Sequence, residues 1–426
     1  MRETSIVSTA FLVALTLRVV VAVSTHVDLV PVDEHSGHGG WRLAGVSVQW
    51  VKGEPRGPDA ATYDRLAWNL ARGQGYRTTA FLGREMRAFR PFLFPFVLSL
   101  VYRVSGHSIL AGKILQCVLG AALCPLVYGL ARHLFGKRAA VLAAVLTAIY
   151  PSFLYYSICL GTETLYALCV VSMVWLLLRA AEEFRQPLAW APAGIVLALG
   201  VLTRSALAGF ALALLPWALI SQPRRARALY GWLFCTVMAA FVLTPWLMRN
   251  YLVLGSPVLT TDGGCTFWSG NHPRSDGGGE CITPEIPTYL YILRLDEAAM
   301  DREFYRDGWR FIREDPSRFV RLMGARVWRM WRPWPHAEHV GAATAIVGAA
   351  EFVPVFLLAI LGVVLVRHRW RQLLLIGFLA GYMTAVHMLF MAVTRYRVPL
   401  MPFFIIIASA AVVQVAGGRV SKGVRT

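Results

Sequence analysis

FRPFLFPFVLSLVYRVSG, residues 89–106, is apolar enough to pass for a membrane span, and its reading fixes the orientation of everything downstream. Read as a span, it inverts every later loop and turns the arginine clusters outward. It also carries Pro91 and Pro95, with Arg90 and Arg103 at its ends. Prolines break the helical ladder, and arginines at the ends of such a run can snorkel to lipid head groups. The segment therefore reads as an interfacial or re-entrant helix.

With that choice made, the remaining apolar runs fall into place. Candidate spans lie near residues 5–25, 108–131, 139–158, 164–180, 188–203, 206–220, 229–248, 343–366, 372–392 and 399–416, about ten in all. Charged residues make up only 15% of the chain and hydrophobic ones 57%, far from the balance of a soluble enzyme. An all-α polytopic membrane protein is expected, because each span must satisfy its backbone internally. The first run, MRETSIVSTAFLVALTLRVVVAV, has no clear cleavage site and reads as a retained span rather than a signal peptide.

The formal net charge of +18 is not a nucleic-acid signature. Arg132, His133, Lys137 and Arg138 share one short loop, Arg224, Arg225 and Arg227 a second, and Arg367, Arg369 and Arg371 a third. Arg419, Lys422 and Arg425 lie in the tail. All four groups fall on one side if both termini are cytoplasmic, as the positive-inside rule requires. Two long segments, 26–107 and 249–342, then face the other side. The expected organisation is an N-terminal membrane module (1–248, including the first outer loop), a second outer-face segment (249–342) and C-terminal membrane helices (343–426).

Four arginines break the charge pattern. Arg204 in LTRSAL and Arg395 and Arg397 in TRYRVPL sit at outer turns, and Arg18 interrupts the outer part of the first span. Such residues are either structural pairs or ligands for an anionic group, and guanidinium matches phosphate with a bidentate fork. Acids also gather outside. GPDAATYDRLAWNLARGQGY (57–76) reads as a helix with Asp59 at its N-cap and Gly73 beyond its last turn. Tyr63, Leu66, Ala67 and Leu70 form its apolar stripe. Asp33 and Glu34 directly follow the first span, and Glu163 occupies the turn of SICLGTETLY. Each acid is open to a structural reading as cap or solvated loop residue, and to a catalytic one. HSGH (35–38) carries no metal-ligand spacing beyond its two histidines.

The ordered series PDAATYDRLAWNLARGQGY, RPFLFP, LQCVLGAALCPLVYGLARHLFGKRAAVLAAVLTAIYPSFLYYS, TETLY, LTRS, PWLMRNYLVLGSPV, WSGNHP and RYRVPLMPF resembles the GT-C superfamily of membrane glycosyltransferases. The likeness is closest to the family-39-like protein mannosyltransferases and aminoarabinose transferases, and it covers most of the chain. The resemblance implies a GT-C fold and transfer of a hexosyl or pentosyl unit from a polyprenyl-phosphate sugar to an acceptor hydroxyl. It implies inversion at the anomeric carbon, on the periplasmic face of a bacterial inner membrane. It places the general base on Asp59, with Asp33 and Glu34 as the second choice because they stand at the family's usual distance from the first span. Glu163 takes the place of a second acid. Arg395, Arg397, Arg204, Arg18 and Arg90 become candidates to hold the donor phosphate, and Tyr63 and Asn271 candidates to line the cavity. RPFLFP departs from the paired prolines of many relatives.

No cofactor is demanded. A divalent cation, Mg or Mn, shared by Asp59 and Glu163 is compatible with the family, but the sequence has no tight ligand cluster. Expected partners are the polyprenyl-phosphate sugar, membrane lipids and a glycan, lipid or protein acceptor, with no nucleic acid. The second outer segment reads as two helices broken at Asp315–Pro316, with Trp328, Trp331 and Trp334 near the membrane return. Cys265 and Cys281 share that segment and are open to a disulfide in an oxidising compartment. Lipid-linked glycan ligases and polymerases are the nearest alternatives. A lipid transporter or flippase is the rival of another class, but it predicts charges at mid-membrane, where this chain has few. His387 reads as a packed polar residue.

Overall fold

The computed structural model describes residues 3–24, 38–43, 46–51, 59–79, 84–182, 186–222, 224–278, 291–292, 294–335 and 342–417. The protein is a multi-pass helical membrane protein. Among the described residues, seven helices are long and apolar enough to cross a bilayer: Ser5–Ser24, Ile109–Phe135, Glu163–Glu182, Arg225–Leu254, Ala342–Leu365, Arg367–Leu389 and Thr394–Val415. Two shorter apolar helices, Pro187–Thr203 and Ser205–Ser221, meet at Arg204, whose backbone is extended.

Besides those two, the expected span 139–158 also falls short of that length. Its helix, Lys137–Ile149, stops after 13 residues. Tyr150 adopts φ −63°, ψ 118° because Pro151 disfavours the α conformation in the residue before it. A separate short helix, Pro151–Tyr156, then carries the chain outward.

The spans pack through small residues, as expected where apolar burial gives no preference for helix over lipid. A Cβ on Gly194 would stand 2.1 Å from the Cys235 carbonyl oxygen, and one on Gly362 would stand 2.5 Å from that of Ile407. At one end of the bundle the basic loops gather. His133 Nε2 lies 3.1 Å from Glu182 Oε1, Gln222 donates to the Ala181 carbonyl, and Trp217 Nε1 donates to the Arg371 carbonyl. The three inner arginine loops of the sequence thus share one end.

The segment 89–106 forms Leu93–Ser105. Its 13 residues span about 20 Å, short of the ~30 Å hydrocarbon core. One face buries Phe94, Leu98 and Tyr102 against Ala60, Tyr63 and Ala67 of Ala60–Ala71, with Tyr63 and Phe94 edge to face at 5.4 Å. The other leaves Phe96, Leu100 and Val104 exposed. Its length and its one packed face agree with the interfacial reading of the sequence. Asp64 clasps the pair, accepting from Tyr102 Oη at 2.6 Å and contacting His107 Nε2 at 2.9 Å. A short antiparallel hairpin, His38–Leu43 with Val46–Val51, adds the only strands among the described residues.

The second outer segment supplies Gly263–Asn271, Glu297–Glu314 and Pro316–Trp331. The break falls at Asp315–Pro316, where the Asp315 carboxylate caps the Arg318 N–H at 2.8 Å.

This topology makes a direct prediction. In sealed vesicles, a membrane-impermeant maleimide should label Gln74→Cys from one side and Arg225→Cys only from the other. Labelling of both from the same side would overturn the interfacial assignment of 93–105.

Candidate active site

Asp59 stands at the N-terminus of Ala60–Ala71, and its backbone carbonyl accepts from the Thr62 and Tyr63 N–H groups. Its side chain makes no capping bond. Instead Oδ1 meets Arg90 Nη2 at 2.6 Å, and Oδ2 meets Arg395 Nη2 at 3.0 Å. Left-handed Gly73 and Gly75 (φ 72° and 81°) end the same helix.

Each partner arrives on a different element. Arg90 precedes the interfacial helix, on a loop pinned by Tyr76 Oη, which donates to the Arg90 and Pro91 carbonyls at 2.7 and 3.0 Å. Its guanidinium lies over Phe89, and its Nη1 reaches Asp262 Oδ2 at 3.2 Å. Arg395 comes from the turn Thr394–Leu400, between the last two spans. Its Nη1 is 3.9 Å from Glu163 Oε1. Glu163 opens the helix Glu163–Glu182 and takes Arg204 Nη2 at 2.6 Å. Arg204 Nε also donates to Thr162 Oγ1 at 2.9 Å. The result is an alternating chain, Asp262–Arg90–Asp59–Arg395–Glu163–Arg204, with three acids and three arginines. Its side chains are between 6% and 20% exposed, so the attractions are stronger than they would be in water.

Burial alone would raise the Asp59 carboxyl. Arg90, Arg395 and, further off, Arg204 outweigh it and hold it down at about 2. Burial pushes the Asp262 carboxyl up, and its single close cation, Arg90, with a hydrogen bond from Thr260, does not offset it. Two acids on the same chain thus lean in opposite directions.

Other residues singled out in the sequence lie elsewhere. Arg18 is fully buried, and it donates to Ser157 Oγ and to the carbonyls of Ala14, Ala148 and Thr147. Arg397 lies over Phe352 at 3.6 Å and donates to the carbonyls of Met330, Arg332 and Pro333. Neither joins the chain. Asn271 is buried and self-contained: Nδ2 donates to the Phe267 and Leu389 carbonyls, and Oδ1 accepts from Arg326 Nη2. It braces the second outer segment. Tyr63 borders the site, with its ring 5.9 Å from the Arg90 guanidinium carbon. Asp33, Glu34 and Cys281 lie outside the described residues, so neither the alternative base nor the Cys265–Cys281 pairing is part of the described structure.

Asp262 escaped the sequence reading. It precedes the glycine-led helix Gly263–Asn271 and passes for a cap, yet it makes no side-chain cap bond. Asp59 is disguised in the same way. In the resting arrangement the Arg395 guanidinium, rather than a cation, lies between Asp59 and Glu163. Among the described residues no group of three or more His, Cys, Asp or Glu side chains could hold a metal ion.

The apo oligosaccharyltransferase of Archaeoglobus fulgidus superposes with a TM-score of 0.58 at 17% identity, over 99% of this chain and 53% of that one. This chain has the GT-C fold. The Archaeoglobus fulgidus oligosaccharyltransferase AglB, in complex with an inhibitory peptide and a dolichol-phosphate, gives 0.55 at 15% identity, over 96% and 50%. The form in complex with Zn and sulfate gives 0.53 at 17%, over 95% and 49%. The chain therefore spans about half the length of these GT-C structures. The dolichyl-phosphate-mannose-protein mannosyltransferase family matches residues 89–248, from the interfacial helix through Arg204 to the long helix after it. No curated protein matches in sequence.

The depressed Asp59 carboxyl has a consequence for folding. A carboxyl held below its unfolded value contributes stability above that value and loses it as pH falls through the folded one. The shift from 3.8 to about 2 corresponds to about 2 kcal/mol. Thermal melts of the purified protein should lose stability between pH 4 and 2. Asp59→Asn should be less stable at neutral pH and show a shallower slope in that window; an unchanged slope would rule out the pairing.

Proposed function

We propose that the protein transfers a sugar from a polyprenyl-phosphate donor to an acceptor hydroxyl, with inversion, on the periplasmic face of a bacterial inner membrane. One observation carries the reading: Asp59 occupies a helix-capping position and gives its carboxylate to two buried arginines instead. This supports the reading, because an acid suited to act as base stands beside guanidinium groups suited to bind phosphate.

The acceptor oxygen attacks the anomeric carbon while Asp59 takes its proton. The bond from the anomeric carbon to the phosphate oxygen breaks, its electron pair stays on that oxygen, and polyprenyl phosphate leaves with one more negative charge. Arg395, Arg204 and Arg90 hold that charge. Arg90 Nε is buried without a hydrogen-bond partner among the described residues and offers a further donor. In the resting arrangement both Asp59 oxygens are taken by guanidinium groups, so the base is masked. A phosphate that draws Arg395 toward itself frees Oδ2, and the carboxyl, relieved of one cation, becomes a stronger base. Donor binding thus prepares proton transfer. Glu163 orients Arg204 and Arg395, while Arg18 and Arg397 hold the scaffold.

The test is mass spectrometry of envelope lipids, glycans and proteins from a deletion strain complemented with variants. One sugar should disappear on deletion and return with the wild-type gene. Asp59→Asn should fail to restore it, with turnover reduced by roughly 10²-fold or more, while Asp33→Asn restores it. Full activity in Asp59→Asn with a dead Asp33→Asn would move the base to the earlier acid. Unchanged envelope chemistry on deletion would defeat the transferase reading.

A further inference from the structure

Outside the charge chain, one carboxylate is bonded more completely than a surface helix requires. Glu297 opens the helix Glu297–Glu314 in the second outer segment and is 9% exposed. Its Oε2 accepts from the Arg87 N–H at 2.5 Å, and its Oε1 accepts from the Ala88 N–H at 2.8 Å and from Thr261 Oγ1 at 2.6 Å. Thr261 N–H in turn donates to the Ala88 carbonyl at 3.0 Å. Two loops from opposite parts of the chain are thus joined on a single carboxylate.

What those loops carry gives the joint its meaning. Arg90 lies two residues beyond Ala88, and Asp262 one beyond Thr261. Their side chains meet at 3.2 Å, and Arg90 continues to Asp59 at 2.6 Å. We propose that Glu297 is a positioning residue for the site: it sets the spacing of the Arg90 and Asp262 loops and, through Arg90, the placement of the Asp59 carboxylate. Its own carboxylate touches neither Asp59 nor Arg90. A cap confined to its own helix would bond N–H groups of that helix; every described Glu297 side-chain bond goes outside it.

The chemistry of substitution is specific. A glutamine keeps size and shape but replaces one acceptor oxygen with an NH₂ group. Whichever way the amide turns, an NH₂ then faces a backbone N–H of Arg87 or Ala88, and one of those bonds is lost. Thr261→Val removes the hydroxyl alone and leaves both backbone bonds in place. Both changes loosen the Arg90–Asp262 spacing without touching either residue.

Two readouts test this on the full-length protein in detergent or nanodiscs. The first is independent of activity: phenylglyoxal modification of Arg90, followed by peptide mass spectrometry. Glu297→Gln should raise the rate at Arg90 several-fold, while the rate at Arg18, remote from the joint, stays unchanged. The second rests on the transferase reading and uses the donor found by envelope analysis. Glu297→Gln should lower kcat/KM for that donor by ~10-fold or more, as misplacement of a reacting group does. In an Arg90→Gln background the same change should cost less than ~2-fold, because residues acting through one path are not additive. Thr261→Val should show both effects in weaker form, and it takes over both measurements if Glu297→Gln fails to fold. Unchanged Arg90 reactivity, or full additivity with Arg90→Gln, would overturn the positioning role. A wild-type protein without turnover would sink the transferase reading and leave the reactivity test standing.

Discussion

The Asp59 carboxylate shared by two guanidinium groups is the constraint on which the rest of the outer face depends. A buried ion pair is maintained only when every member is matched, because removing one partner leaves an uncompensated charge at a cost of about 3–5 kcal/mol. Asp262, Arg90, Asp59, Arg395, Glu163 and Arg204 come from separate stretches of the chain, so their alternation requires each stretch to reach the same height. Packing of glycine against backbone, as at Gly194 and Gly362, sets how closely helices approach. The charge chain sets where along their length they stop.

Arginine plays two different parts in this molecule, and the partner distinguishes them. Arg18, Arg326 and Arg397 are buried and aim at backbone carbonyls. They close loose helix ends and tie segments together, and an anion taking them would orphan those carbonyls. Arg90, Arg204 and Arg395 aim at carboxylates. For these the partner is already an anion, and the chemistry of the partner, not the place in the chain, separates the two groups.

That distinction also marks what the sequence could reveal. Hydropathy located the apolar helices, and the prolines with flanking arginines set 93–105 apart from the long ones, because both signals are local. Pro151 would have warned of the break after Ile149, but the apolar run on either side of it concealed the signal. Asp59 and Glu163 were legible as acids at helix starts, and the family likeness selected Asp59. The partners were not legible: nothing near Arg397 in the chain says that it faces Met330 and Arg332, or that its neighbour Arg395 faces Asp59. Asp262 and Glu297 were missed because each begins a helix, where an acid needs no further explanation.

The two acids disguised as caps expose a limit of capping rules. An N-terminal acid is favoured by the helix dipole whether or not its side chain bonds the first-turn amides. The position therefore tolerates a carboxylate that is turned away to serve something else. At Asp59 and Asp262 the helix start holds the backbone rigid, while the side chain is free to join the arginines. Such a placement fixes the carboxylate on regular structure, at the start of a helix, while leaving its oxygens to arginine.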